Sequence, residues 1–275
     1  MGGVIVVTSG KGGVGKTTVS ANLSANLALM GKRVVVIDTD IGLRNLDVVM
    51  GLENLIVNNL VDVVDGTCRV AQALIKDKRY GELYLLPSAQ TKDKTSVTPE
   101  QMIELTSELK EQFDYVIIDC PAGIEQGFKN AIAGATRALV VTTPEVSAIR
   151  DADRIIGLLE IDGVSPVHLI INRIRPELVK TGDMMSIEDV VDILGLDVIG
   201  AIPDDVNIVI STNRGEPLTN PSLESAVVFN NIAKRITGED IPLKSFTKEK
   251  KFLSNLFKSK NRLKKTEGGF NGIWS

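Results

Sequence analysis

A short glycine-rich run near the start of the chain has the residue types and spacing that hold a polyphosphate. Gly10-Lys11-Gly12-Gly13-Val14-Gly15-Lys16-Thr17, followed by Thr18, matches the phosphate-loop pattern G-x-x-x-x-G-K-[ST]. Its glycines let successive backbone N–H groups turn inward on phosphate oxygens. A helix opening at Thr17 adds the positive end of its dipole. Lys16 then reaches the β- and γ-phosphates, and the Thr17 hydroxyl binds Mg2+. The plain alternative is a glycine-rich turn between a strand and a helix. Lys11 is a second cation that does not easily fold back onto the same phosphates beside Lys16; its plain reading is a solvated lysine.

Carboxylates follow at strand ends. Val34–Ile37 runs into Asp38-Thr39-Asp40, and Tyr115-Val116-Ile117-Ile118 runs into Asp119. The carboxyl ends of parallel strands are where such sheets bind ligands. Asp38 and Asp119 are therefore read as Mg2+ ligands acting through water, and Asp40 as the group that orients an attacking water. Capping of the next turn is the structural alternative for Asp38 and Asp40. Pro121-Ala122-Gly123 reads as a loop near the γ-phosphate, its glycine amide facing that group. Asn172-Arg173 and Pro203-Asp204 end two further strands on the same sheet edge, with a turn residue as the alternative for Asn172. His168, inside a strand, reads as a packed residue, and Cys68 as a small buried hydrophobe. Cys120 lies beside Asp119 but in no iron–sulfur motif.

A doubly wound α/β sheet is what places such loops on one edge. Strands are expected at Val4–Val7, Arg33–Ile37, Leu83–Leu86, Tyr115–Ile118, Ala138–Thr142, Val167–Ile171 and Val198–Ala201. They are nearly continuous in Val, Ile and Leu, as in parallel strands covered on both faces. Helices are expected between them, at Thr17–Met30, Glu100–Phe113, Ser147–Glu160 and Ser222–Arg235. The chain has 275 residues, 43% hydrophobic and 24% charged, enough for one large domain. Two cysteines are too few for a disulfide scaffold, so a reducing cytosol fits. No signal peptide or membrane-spanning run is expected. Met-Gly-Gly opens like a myristoylation site, but Val6 stands where Ser or Thr is needed.

The net charge of −4 hides a basic tail. Lys244 to Lys265 holds nine Lys or Arg against Glu249 alone, so 9 − 1 = +8, leaving −4 − 8 = −12 on the rest. Phe252, Leu253, Leu256, Phe257 and Leu263 recur at helical spacing among those cations. The pattern suits an amphipathic helix lying in an anionic bilayer interface. Docking on the domain core and a calmodulin-like target helix are the alternatives. The chain is thus read as a P-loop domain at 1–238, a linker at 239–246, a basic amphipathic helix at 247–265 and a flexible tail at 266–275.

Lys11 followed by Gly12-Gly13-Val14-Gly15-Lys16-Thr17 resembles the deviant Walker A family of P-loop ATPases. Longer stretches narrow the likeness: Asp40-Ile41-Gly42-Leu43-Arg44-Asn45-Leu46-Asp47, Gln72–Arg79, Cys120–Glu125 and Arg150-Asp151-Ala152-Asp153-Arg154 are similar to the MinD-like septum-site ATPases, over about residues 3–265. The resemblance implies slow hydrolysis of ATP with Mg2+, and a homodimer in which Lys11 reaches the partner's nucleotide. It implies that Asn172, Arg173, Pro203 and Asp204 flank adenine, Asn172 reading its edge, and that Asp151 and Asp153 face partners. It further implies a cytoplasmic protein, peripheral on the inner face of the cell membrane. There it recruits a MinC-like division inhibitor and is released by a MinE-like or other activator. No sequence-specific nucleic acid is expected. A ParA-like DNA-segregation ATPase, its basic tail on DNA phosphates, and a flagellar-number ATPase remain alternatives; duplex DNA has no need of the Phe/Leu stripe.

Overall fold

The computed structural model describes residues 3–43, 45–92, 96–243 and Phe246. The expected amphipathic helix at 247–265, with Phe252, Leu253, Leu256 and Phe257, and the tail at 266–275 lie outside the described residues.

Runs of branched apolar residues form β1 (Gly3–Thr8), β2 (Val34–Asp38), β3 (Ile75–Asp77), β4 (Leu83–Leu86), β5 (Tyr115–Asp119), β6 (Arg137–Thr142), β7 (Val167–Ile174) and β8 (Val198–Pro203). They join in one sheet in the order β3-β4-β2-β5-β1-β6-β7-β8. Neighbours are parallel, except that β3 runs antiparallel to β4. The seven expected strands are present, and β3 is an edge strand that the sequence reading did not foresee.

The helices are α1 (Lys16–Leu29), α2 (Leu46–Val49), α3 (Leu60–Val64), α4 (Val70–Ala73), α5 (Pro99–Gln112), α6 (Gln126–Ala133), α7 (Val146–Ile161), α8 (Pro176–Thr181), α9 (Ile187–Leu194), α10 (Val206–Asn213) and α11 (Glu224–Ile236). Helix α5 opens with a capping box: Thr98 Oγ1 accepts from the Gln101 amide, Gln101 Oε1 accepts from the Thr98 amide, and Pro99 begins the helix.

Alternate strand residues enter cores on opposite faces, which is why the strands read as unbroken apolar runs. Val4 and Val6 of β1 pack with Met102, Phe128, Ile155 and Val190, from α5, α6, α7 and α9. Ile5 and Val7 pack on the other face with Leu23, Leu27, Phe229 and Ile232, from α1 and α11. Each such side chain contributes about 1.5–3 kcal/mol by burial. Helix α1 is buried almost throughout, Val19 to Ala28, so the phosphate loop ahead of it is anchored to the middle of the sheet.

After α11 the described part of 239–246 is tied down. Arg235 donates to the carbonyls of Ile199, Ile241 and Pro242, each at 2.8 Å. Phe246 is buried in the core that holds α5, α6, α7 and α9. Phe246 thus packs on the face of the sheet opposite α11.

Candidate nucleotide site

The phosphate loop fills the corner between the end of β1 and the start of α1. Gly15 occupies the N-cap of α1 in a left-handed conformation (φ 101), and its carbonyl accepts from the Val19 amide to open the helix. Helix α7 presses on the other end of the loop, where a Cβ on Gly10 would run into the Asp151 carbonyl. Lys16 is only 8% exposed, and its Nζ donates to Ser9 Oγ at 3.0 Å. Gly12, Gly13, Gly15, Lys16, Thr17 and Thr18 line a cavity of about 480 Å³, with Asp40, Ala122 and Arg173 on its other walls. Asn45 and Val48 near α2 also line it; Asn45 stood in the quoted Asp40–Asp47 stretch but was given no role, and Val48 was not foreseen.

The two carboxylates expected at a metal meet here. Asp38 and Asp119 are register partners at the ends of β2 and β5. Thr39 locks these strand ends together, donating through both its amide and its hydroxyl to the Asp119 carbonyl. Asp38 accepts from the amides of Asp40 (2.9 Å) and Leu46 (3.3 Å). Asp38 thus fulfils the turn-capping reading and also faces its neighbour carboxylate. Asp119 accepts from Ser20 Oγ at 2.8 Å and from the Thr17 hydroxyl. Burial, reinforced by the charge of Asp119, pushes Asp38 up to about 8. Burial also pushes Asp119 up to about 6, against the hydrogen bonds of Thr17 and Ser20 and the charge of Lys16. Burial and neighbouring acids push the Cys120 thiol up to about 12, which makes it an inert packed group.

This arrangement fits a Mg-nucleotide. Two buried carboxylates with raised pKa values gain from a cation beside them. Among the described residues no group of three or more His, Cys, Asp or Glu gathers into a protein-only metal cage. Thr17, Asp38 and Asp119 could hold Mg2+ together with phosphate oxygens, an arrangement that needs no such cage.

The raised acids carry a pH signature. The folded Asp38 titrates at about 8 against a usual 3.8, so the folded state holds a proton that the unfolded chain has released. The stability this contributes is full below the usual carboxylate range and is lost as pH rises towards about 8. The melting temperature of nucleotide-free protein is expected to fall over this window. Asp38→Asn should flatten the fall, as differential scanning fluorimetry across pH can check; an unchanged slope defeats the assignment.

Lys11 turns to the first turn of α7. Its Nζ donates to Ser147 Oγ at 3.1 Å and lies 3.6 Å from Glu145 Oε2. Both partners are exposed, and such a pair stabilises by only about 0–1 kcal/mol, so the lysine is released at small cost. Asp153 and Arg154 are exposed on α7, while Asp151 is half-buried over the loop.

The base-side residues form a second cavity of about 210 Å³, lined by Gly15, Thr18, Asn172, Arg173, Pro203 and Asp204. It shares Gly15, Thr18 and Arg173 with the phosphate cavity. Its remaining wall is Asp205 with Ile208, Val209, Thr212 and Asn213 of α10, none of them foreseen. Asp204 is paired with Arg175 at 2.7 Å. Asn172 and Arg173 lie within β7, which runs on to Ile174, rather than at its end. The Asn172 side chain is engaged by the phosphate loop, its Nδ2 donating to the Val14 carbonyl at 2.8 Å.

Fold and site together define a P-loop nucleotide-binding protein of the deviant Walker A type. The family model of the CobQ/CobB/MinD/ParA nucleotide-binding domain matches residues 5–218. The septum site-determining protein MinD of Bacillus subtilis is 57% identical over 262 residues, covering 94% of this chain and 98% of that protein. The solved MinC:MinD cell-division complex of Aquifex aeolicus matches with a TM-score of 0.82 at 48% identity, over 88% of this chain and 98% of that one. The septum site-determining MinD of Pyrococcus horikoshii, solved with Mg-ADP, matches with a TM-score of 0.78 at 29% identity, over 86% of this chain and 97% of that one. The chain belongs to the CobQ/CobB/MinD/ParA nucleotide-binding family and, within it, to the septum site-determining MinD proteins. No helix among the described residues is long and apolar enough to cross a membrane.

Proposed function

We propose that this protein is an ATP-dependent, dimerising, membrane-cycling ATPase that helps to place the division septum. The observation that carries the proposal is the position of Lys11, held by Glu145 and Ser147 beside a phosphate loop that already has Lys16. A lysine so placed is available to a second copy's nucleotide, which makes ATP the bridge of a dimer. Two basic tails on one dimer then hold an anionic membrane that one tail holds weakly. The dimer on the inner face of the membrane recruits a MinC-like inhibitor and keeps division away from aberrant sites; the MinC:MinD complex of Aquifex aeolicus supports that partner. A MinE-like or other activator releases it.

In the hydrolytic step Lys16 binds the β- and γ-phosphates, and the partner subunit's Lys11 adds charge as the β–γ bridging bond breaks. Asp40, in the cavity wall, orients the water whose oxygen bonds to the γ-phosphorus. Thr17, Asp38 and Asp119 would hold Mg2+, which when bound would supply positive charge against the phosphates. Basal turnover is expected to be slow, as in nucleotide hydrolases that await a partner's stimulation.

Co-sedimentation with anionic liposomes tests the proposal: binding is expected with ATP and not with ADP. Equal sedimentation with both defeats it, and a salt-sensitive DNA shift without liposome binding favours the segregation alternative. Asp40→Ala is expected to keep Mg-ATP affinity while slowing turnover about 10²–10⁴-fold, the range of a positioned proton-handling group. That variant should stay on liposomes long after wild type has left; normal hydrolysis by it removes the water-orienting role.

A further inference from the structure

We propose that Asn172 is a positioning residue of the phosphate loop, fastening the backbone at the corner where the loop becomes α1. The inference rests on the nucleotide-site reading above and extends it. The Asn172 side chain is committed at both ends of its amide. Nδ2 donates to the Val14 carbonyl at 2.8 Å, and Oδ1 accepts from the Arg173 amide at 2.9 Å. Val14 belongs to the phosphate loop, Arg173 lines both cavities, and Asn172 is 7% exposed.

The Val14 carbonyl needs such a donor. Val14 is 4% exposed, and the left-handed Gly15 that follows turns its carbonyl out of the α1 ladder, which begins with the Gly15 carbonyl. A buried carbonyl left without a partner is disfavoured. Asn172 also sits so close that a Cβ on Gly15 would collide with its Nδ2. The fit between loop and amide is therefore two-sided: the glycine clears the space and the amide fills it.

The sheet is deformed where this contact is made. The pairing of β7 with β8 shifts register between Ile171 and Ile174, so that Asn172 and Arg173 bulge out of the ladder. Arg173 takes a left-handed conformation (φ 57), the only such non-glycine residue among those described. Bulges of this kind re-aim side chains beside functional sites, and a non-glycine residue held left-handed needs surroundings that over-determine it. Here the distortion aims one amide at one carbonyl 158 residues away in sequence. Because Asn172 also lines the base-side cavity, one side chain joins the wall of that cavity to the phosphate loop.

The test separates a loop-fastening residue from a base-reading one by using a ligand with no base. Mg-pyrophosphate and Mg-ADP are titrated calorimetrically into the full chain, wild type, Asn172→Ala and Asn172→Leu. One variant empties the space and the other fills it, so neither a cavity nor crowding alone explains a shared result. Thermal melting without nucleotide establishes that each variant is folded. Both variants are expected to lose about tenfold in affinity for both ligands, by a common factor, the scale of one lost buried hydrogen bond. Loss for Mg-ADP with Mg-pyrophosphate unchanged assigns Asn172 to the base edge and overturns the inference, as does no loss for either ligand. A wild-type protein that binds neither ligand overturns the nucleotide-site reading itself.

Discussion

Lys16→Ala is expected to abolish measurable nucleotide binding while leaving a folded protein. Lys16 is a buried cation, 8% exposed, whose Nζ donates to the small hydroxyl of Ser9. It is held in the cavity floor with two carboxylates near it, and its charge draws down the pKa of Asp119. An added polyphosphate brings several negative charges into this low-dielectric corner. Removing the one buried lysine that faces them leaves those charges without their nearest partner. Losing one member of a buried pair costs about 3–5 kcal/mol, or roughly 10²–10⁴ in Kd. The apo fold does not suffer in proportion, because Asp119 can keep its proton when Lys16 is gone. Calorimetry with Mg-ADP and a melting curve without it measure the two effects separately. Mg-ADP bound within a few-fold of wild type would remove Lys16 from the phosphates.

That residue was legible from sequence because its motif is local: loop, strand and helix lie within a few residues of one another. The strands were legible for a related reason, since burial on both faces forces unbroken Val/Ile/Leu runs, as at Val34–Ile37. What escaped depends on contacts distant in sequence. The stretch Val206-Asn207-Ile208-Val209-Ile210-Ser211-Thr212 has the composition of a strand, yet it folds as α10. Asp205 decides this: its carboxylate accepts from the Asn207 amide at the helix start and from Ser225 Oγ of α11 at 2.6 Å. A cap and a tertiary tie outweigh β propensity, whose whole scale spans only about 1 kcal/mol. The base-side wall was invisible for that reason. Strand β3 escaped because three residues, Ile75-Lys76-Asp77, are too short to show a period. Asn172 and Val14 were each legible as site residues, but 158 positions separate them, and so their pairing could not be seen.

The largest effect on the membrane is expected from Phe257→Glu, and its size should depend on the nucleotide. Phe257 belongs to the apolar stripe of the basic segment, which offers few bulky groups to an anionic interface. Burying one such side chain contributes about 2 kcal/mol, so its replacement weakens a single tail by roughly 30-fold. Where ATP pairs two chains, each dimer inserts two tails and loses that contribution twice. The penalty then multiplies, to roughly 10³-fold. The fold-loss with a non-hydrolysable ATP analogue should therefore approach the square of the loss with ADP. Nothing in a monomeric membrane binder, or in one tail docked on its own domain, produces that exponent. Liposome titrations of wild type and Phe257→Glu in both nucleotide states supply the four affinities needed. Equal fold-losses in the two states would mean that one tail acts at a time, and the coupling of triphosphate to membrane through pairing would be lost. Glu also adds a negative charge to a segment carrying +8, so the same titrations in raised salt separate the lost apolar insertion, which salt leaves in place, from the electrostatic part, which it screens.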